Sequence, residues 1–303
     1  MRNLFAESVE KTAKKNKDVF LLTGDLGFSV LDDFKKKFPN NFLNVGVAEQ
    51  NMIGIAAGLS ILGKKVFTYS IANFATSRCH EQIRNDICYH NLDVTIVAVG
   101  GGLPYGNLGY THHGMEDIAI TRVLPNMTVF VPADRYELTF CYEKLIKTKS
   151  PKYLRLARGG EPNIHLKKIK TKRNYIEIFK PKKINIISSG TILIEVKKAY
   201  ELLDDKNIGL ISMPIINDVV KEEIKTILIK SDLIFTFEEH SPNGGVGSFI
   251  KEIGSELAKP PRVISFGINI ETIHKVGSQD FLRKANKIDS NSIYKKISKY
   301  LKK

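Results

Sequence analysis

Between Met52 and Leu62 the chain reads M-I-G-I-A-A-G-L-S-I-L, with no charge in the run. Most helices on a domain surface carry one apolar stripe and one polar face. This one is apolar all round, so it is expected to be buried on every side. It is too short to span a bilayer, which takes about 20 residues, so the cover must come from protein. Gly54, Ala56, Ala57 and Gly58 allow another backbone to approach closely. The helix opens after a short strand over 42–45 and a turn at Gly46, and one carboxylate, Glu49, stands at its head. A carboxylate buried without a partner is costly. Two readings follow: a first-turn acid, favourable at the positive end of a helix, or a carboxyl held in a dry cleft for proton work.

Around this helix, strand-like and helix-like segments alternate. Strands are expected over 19–23, 42–45, 65–69, 94–99, 128–131 and 153–157, and helices over 3–16, 48–62, 76–90, 115–123 and 135–148. Such alternation argues an α/β fold with a doubly wound, mostly parallel sheet. Ligands of these sheets bind beyond the carboxyl ends of the strands. The loops there hold Gly24–Phe28, Gly46–Glu49, Ser70–Phe74 and Gly100–Met115. The first domain is read as residues 1–160. The polar, basic stretch 161–183 reads as a connection, and 184–303 as a second, smaller α/β domain. That domain has strands expected over 184–188, 209–212, 233–237 and 262–266 and a lysine-rich helix near 290–302. Its E-E-H-S-P-N-G-G-V-G run (Glu238–Gly247) fits a phosphate nest before a helix or a tight strand-to-helix turn.

The net charge is +14, from 46 Lys and Arg against 32 Asp and Glu. Such a balance raises nucleic acid as a partner. The lysines are spread along the chain, however, and no helix-turn-helix, zinc finger or aromatic RNA-binding strand accompanies them. A solvated surface with a field favouring anionic substrates is expected, with neither nucleic acid nor membrane as partner. The first residues read as an amphipathic helix on Leu4, Phe5 and Val9, without a signal-peptide core. Cys79, Cys88 and Cys141 are odd in number and lack C-x-x-C spacing. They fit a reducing, cytoplasmic setting and no metal site.

The loop G-G-G-L-P-Y-G-N-L-G-Y-T-H-H-G (Gly100–Gly114) follows a strand and precedes a helix. Glycines cluster there around His112 and His113, an odd composition for a passive connection. Histidine is the usual general acid/base and a common metal ligand, but adjacent histidines rarely face one ion, and Glu116 and Asp117 fit better as first-turn acids. Arg158 ends the last strand of the first domain beside two glycines. Its planar fork suits a phosphate or carboxylate; a structural salt bridge is the other reading.

Taken together, G-V-A-E-Q-N-M (Gly46–Met52), S-I-A-N-F (Ser70–Phe74), G-Y-T-H-H-G (Gly109–Gly114), V-P-A-D (Val131–Asp134), L-A-R (Leu156–Arg158) and the Glu238–Gly247 run resemble the C-terminal half of transketolases. That half holds a pyrimidine-binding domain and the family's C-terminal domain. The R-C-H-E-Q-I run (Arg78–Ile83) and T-H-H-G are also similar to 1-deoxyxylulose-5-phosphate synthase. The resemblance implies thiamine diphosphate as cofactor, with Glu49 as the catalytic glutamate that hydrogen-bonds N1′ of the aminopyrimidine. It places Phe74, with Ile71, against the pyrimidine ring and Asp25 on a loop approaching the site. It puts His112 on substrate oxygens, Arg158 on the sugar phosphate, and His80 and His113 on the substrate side. A full-length transketolase has a further histidine near Gly100 and an aspartate near Leu108. Neither is present, which leaves the donor ketose open.

The family's diphosphate- and magnesium-binding motif, a G-D-G with a following asparagine, is not matched by Gly24-Asp25-Leu26-Gly27. The chain is therefore expected to be one subunit of a split transketolase. It would share thiamine diphosphate with an N-terminal, diphosphate-binding partner subunit that holds Mg2+, assemble with it into a heterotetramer, and move a two-carbon ketol unit between phosphorylated sugars. Three other readings stand beside this one: the β subunit of a 2-oxoacid dehydrogenase or a synthase forming acyloins or deoxyxylulose phosphate, a catalytically inert scaffold subunit, and a basic RNA-binding module.

Overall fold

The computed structural model describes residues 1–302. Twelve strands run in chain order as β1 (Val19–Thr23), β2 (Phe42–Asn44), β3 (Lys65–Ile71), β4 (Val94–Val99), β5 (Thr128–Phe130), β6 (Lys152–Leu156), β7 (Ile176–Phe179), β8 (Ile184–Ser189), β9 (Ile208–Ser212), β10 (Ile215–Ile216), β11 (Leu233–Glu238) and β12 (Arg262–Phe266). They form a seven-stranded sheet, β10-β5-β6-β4-β3-β1-β2, and a five-stranded sheet, β12-β11-β8-β9-β7. Every pairing of these strands is parallel except β10 on β5 and β7 on β9. The expected α/β architecture is present. The central strands β3, β4 and β6 are buried almost throughout, as a sheet covered on both faces requires.

Two strands fall outside the expected pattern. Residues 176–179, inside the stretch read as a connection, form β7 and pair antiparallel on β9. The two-residue β10 belongs to the second half of the chain yet pairs with β5 of the first sheet, Ile215 opposite Phe130 and Ile216 opposite Val129. A four-residue strand beside a lysine-rich stretch and a two-residue strand are both too short to show a period of two.

The helix that follows β2 runs from Glu49 to Ile61. One side packs Met52, Ile53, Ala56 and Ala57 into the core. The expectation of burial on every side does not hold. Gln50, Gly54 and Gly58 are exposed along the opposite stripe, which ends in Ile61 (66 % exposed) and Leu62 (75 %). Among the described residues nothing covers that stripe. In the second domain the Glu238–Gly247 run takes the turn reading. The Glu238 carboxylate accepts the amides of Val246 (2.7 Å) and Gly247 (2.9 Å) at the start of the helix Val246–Ser255. A side chain already fills the place an anion would occupy.

The two domains meet on a buried ion pair. Arg155, in β6, donates through Nε to Asp117 Oδ2 (2.7 Å) and through Nη2 to Asp117 Oδ1 (3.1 Å). The same Nη2 also donates to the carbonyls of Gly114 (2.7 Å) and of Glu239 in the second domain (3.0 Å). Burial works against the Asp117 carboxylate, but Arg155 and then His240 hold it below its ordinary value. Breaking one side of a buried pair strands the other charge. Arg155→Ala should therefore cost about 3–5 kcal/mol in denaturant unfolding, and Arg155→Met with Asp117→Leu clearly less. Equal losses in the two variants would contradict this account.

Candidate active site

The carboxyl ends of β2, β1, β3 and β4 lie side by side, and each feeds one loop into a common region. From β2, the chain turns at Gly46 and the helix begins at Glu49, whose side chain is 1 % exposed. From β1 comes Gly24, so close that a Cβ there would stand 3.1 Å from Glu49 Cγ. From β3 come Ser70, Ile71 and the short helix Ala72–Ala75 that carries Phe74. From β4 comes the glycine-rich loop with His112.

Glu49 is buried but not unpaired. Ser70 Oγ donates to its Oε1 at 3.3 Å, and Arg78 Nη1 donates to its Oε2 at 2.6 Å. Arg78 also lies over the ring of Phe74, its Cζ 4.4 Å from the centroid. Nearby, the Cys79 thiol is pushed up to about 12, by burial first and then by the Glu49 charge. That leaves it inert as a nucleophile at neutral pH.

Asn73 ties the histidine loop to this floor, donating to the carbonyls of Thr111 (3.1 Å) and His113 (2.9 Å). The ring of His112 meets Phe74 edge-on at 5.2 Å and Tyr105 at 6.4 Å. The Arg158 guanidinium lies 5.6 Å from the Tyr105 centroid. Arg2, from the first helix (Arg2–Ala13), stands there too. Burial raises the Tyr105 hydroxyl, and the charges of Arg2 and Arg158 oppose that rise. Among the described residues neither arginine has a carboxylate partner. Together they line a hollow of about 300 Å³ with Met1, Asn3, Gly159 and Gly160. Glu49, Arg78, Phe74, His112, Tyr105 and Arg158 thus form one continuous line from a buried carboxylate to a pair of guanidiniums.

Not every expected residue joins that line. His113 is 1 % exposed and turned away, its Nε2 3.4 Å from the Gly106 carbonyl, and burial lowers its pKa. A neutral ring beneath the loop is a support for it. His80 keeps a buried Nδ1 without a hydrogen-bond partner among the described residues. Asp25 is exposed, in a left-handed conformation (φ 57°), and its Oδ1 accepts Asn44 Nδ2 at 3.0 Å. Ile71 is buried and leads into the Phe74 helix as its capping residue. Conversely, Arg78, Ser70, Tyr105 and Arg2 carry the site without having been singled out as site residues. Arg78 follows Phe74 by four residues, the spacing of helical neighbours; Arg2 carries no local signal. The loop's glycines turn out to serve packing, since a Cβ on Gly101 would run into the Arg155 side chain. Among the described residues no group of three or more His, Cys, Asp or Glu converges as a metal would require.

Fold and site together define a two-domain α/β protein with a buried glutamate, an aromatic face and a basic rim beyond one set of strand ends. The chain belongs to the transketolase family. Residues 1–161 match the pyrimidine binding domain of transketolase and residues 177–293 its C-terminal domain. The chain is 35% identical to a putative transketolase C-terminal section of Methanocaldococcus jannaschii, over 100% of this chain and 96% of that protein. It is 32% identical to one subunit of the apulose-4-phosphate transketolase of Phocaeicola vulgatus, over 100% of this chain and 97% of that one. Its structure superposes with a TM-score of 0.88 on a split gene transketolase solved as an inactive beta4 tetramer, at 31% identity over 98% of this chain and 97% of that one. It is thus a transketolase-type C-terminal section, in a family that depends on thiamine diphosphate.

The tight approach of Gly24 gives a first test of the site. Gly24→Ala should destabilise the fold by about 1–3 kcal/mol through overpacking on Glu49. In a Glu49→Ala background, where Cγ is gone, the same change should cost almost nothing in denaturant unfolding.

Proposed function

We propose that this chain is the C-terminal subunit of a split transketolase that moves a two-carbon ketol unit between sugar phosphates. The observation that carries this reading is Glu49, a buried carboxylate beside a half-buried aromatic ring. Both stand at the strand ends, where an α/β sheet binds its ligands. The donor set fits an aminopyrimidine: an acceptor for N1′ in Glu49, a ring face in Phe74, and a glycine at 24 that keeps the wall flat. When bound, thiamine diphosphate would supply the carbon nucleophile that the reaction needs.

In this reading Glu49 holds or shares the proton at N1′, and burial at the head of its helix keeps water from competing for it. Phe74 stacks on the ring and Ile71 supports it from beneath. His112, seated between Phe74 and Tyr105, hydrogen-bonds substrate oxygens. Arg158 and Arg2 hold the phosphate of the sugar, the two flanking Tyr105 at the far end of the line. Gripping a phosphate with two guanidiniums is charge-assisted and geometrically specific. This basic end favours sugar phosphates over the simple oxoacids of a 2-oxoacid dehydrogenase, and the intact carboxylate, ring and histidine disfavour an inert scaffold.

The partner is proposed to be the subunit that binds the diphosphate and Mg2+. The exposed stripe of the Glu49 helix, with Val47 (75 % exposed) before it and Ile61 and Leu62 at its end, supports a protein partner on this side.

Three outcomes are expected. The purified chain alone should have no transketolase activity, and the pair of subunits should have it with thiamine diphosphate and Mg2+; robust turnover by the isolated chain would refute the split-enzyme reading. In the assembled pair, Glu49→Gln should keep the fold while cofactor C2–H/D exchange, followed by quenched-flow NMR at equal occupancy, slows by at least about 100-fold. A first-turn acid without proton work predicts near-normal exchange. Arg158→Ala and Arg2→Ala should each raise KM for phosphorylated substrates by a factor equivalent to about 1.5–3 kcal/mol. Unphosphorylated analogues should barely respond, and an equal response on both substrate types would make the arginines structural.

A further inference from the structure

Arg78 makes two contacts at once, and both lie where the proposed function puts the cofactor's pyrimidine. Its Nη1 donates to Glu49 Oε2 at 2.6 Å, and its guanidinium lies on the face of Phe74 at 4.4 Å. A guanidinium is planar, cationic and able both to stack on an aromatic ring and to hydrogen-bond a carboxylate. In those respects it would imitate an aminopyrimidine held against the same ring and the same carboxylate. The two cannot hold both contacts together.

The backbone around Arg78 is pinned, while its side chain is held only by the two contacts above. Gln50 Nε2 donates to the Arg78 carbonyl at 3.0 Å, and Cys79 Sγ donates to the Phe74 carbonyl at 3.2 Å. The Arg78 side chain is 44 % exposed, whereas its carboxylate partner is 1 % exposed. Glu49 is therefore fixed in the wall, and Arg78 reaches it from the solvent side. Such an arginine can swing out into water without disturbing the strands or the helix.

We infer that Arg78 is a displaceable stand-in for the pyrimidine: it neutralises Glu49 and covers Phe74 until thiamine diphosphate takes both contacts and turns it outward. The inference rests on the cofactor reading above and adds to it a competition that cofactor binding must win. The cost of that competition lowers the apparent affinity for the cofactor. In return, the charge of Glu49 is matched before the cofactor arrives.

The test uses this chain co-purified with its partner subunit and titrated with thiamine diphosphate and Mg2+ in a calorimeter. Arg78→Ala should bind the cofactor tighter, by about 10-fold, the scale of one ion pair and one cation–π contact released. Phe74→Ala, which removes the proposed stacking face, should bind it more weakly by about 10-fold or more. A folded Arg78→Ala with unchanged or weaker affinity overturns the inference while the Phe74→Ala loss leaves the cofactor site standing. An unchanged Phe74→Ala overturns the site itself, and the inference with it. Should Arg78→Ala fail to fold or assemble, the native protein decides. The Nε–H NMR resonance of Arg78, assigned by its loss in Arg78→Lys, should move to a solvent-exposed position on saturation with cofactor; a resonance that stays in place overturns the displacement.

Discussion

The site depends on one guanidinium that is not in it. Arg155 lies in the interior of the first sheet, and four hydrogen bonds fix three separate pieces of chain against it: the Asp117 helix, the Gly114 end of the histidine loop and the Glu239 carbonyl of the second domain. A charge so deeply buried is tolerable only when its partners are complete. That demand dictates the local sequence. Gly101 has no side chain because Arg155 occupies the space, and Tyr153 adds its hydroxyl to Asp117 at 2.5 Å. The loop that offers His112 to Phe74 packs against Arg155 at Gly101 and is bonded to it at Gly114, and just before Gly114 Asn73 holds the carbonyls of Thr111 and His113. Its many glycines therefore belong to a packed structure.

A second constraint is the division of charge across the site. One end presents a buried carboxylate and the other two arginines without carboxylate partners among the described residues, with Phe74, His112 and Tyr105 between them. A ligand that is aromatic and basic at one end of its encounter and phosphorylated at the other would find complementary groups in the right order. In the proposed function this arrangement would separate proton work from substrate anchoring, so that phosphate binding would not have to alter the environment of Glu49. Arg78 stands between the two regimes. It shares the sign of Arg2 and Arg158, yet it is the one that touches the carboxylate.

The uncovered stripe of the Glu49 helix bears on how such a site is completed. The helix carries its catalytic candidate at one end, and its open outer side runs from Gln50 past Gly54 and Gly58 to the apolar Ile61 and Leu62. Covering that surface would exclude water from the neighbourhood of Glu49, which strengthens each electrostatic contact there. In the proposed reading, assembly and chemistry would be linked through one element, since the surface that would bind a neighbour is continuous with the residue that would handle the proton.

Much of this was legible in the order of residues. Alternating strand and helix patterns determined the parallel sheet, because a side-chain period of two and one of 3.6 are properties of the local chain. The motifs around Glu49, Phe74, His112 and Arg158 lie on loops that the fold brings together, because an α/β sheet gathers the carboxyl ends of its strands on one side. Other features were decided only in three dimensions. The helix over 49–61 reads as apolar all round, yet which of its faces stays open depends on where the sheet ends, and that is a property of strand order. His112 and His113 are indistinguishable as neighbours in sequence; the turn of the loop aims one ring at Phe74 and buries the other. Arg2 meets Arg158 across almost the whole first domain, and β10 crosses from one domain to the sheet of the other. Local periodicity determines what each segment can become, whereas pairings between distant charges and the orientation of a single side chain are set by the packing of the whole.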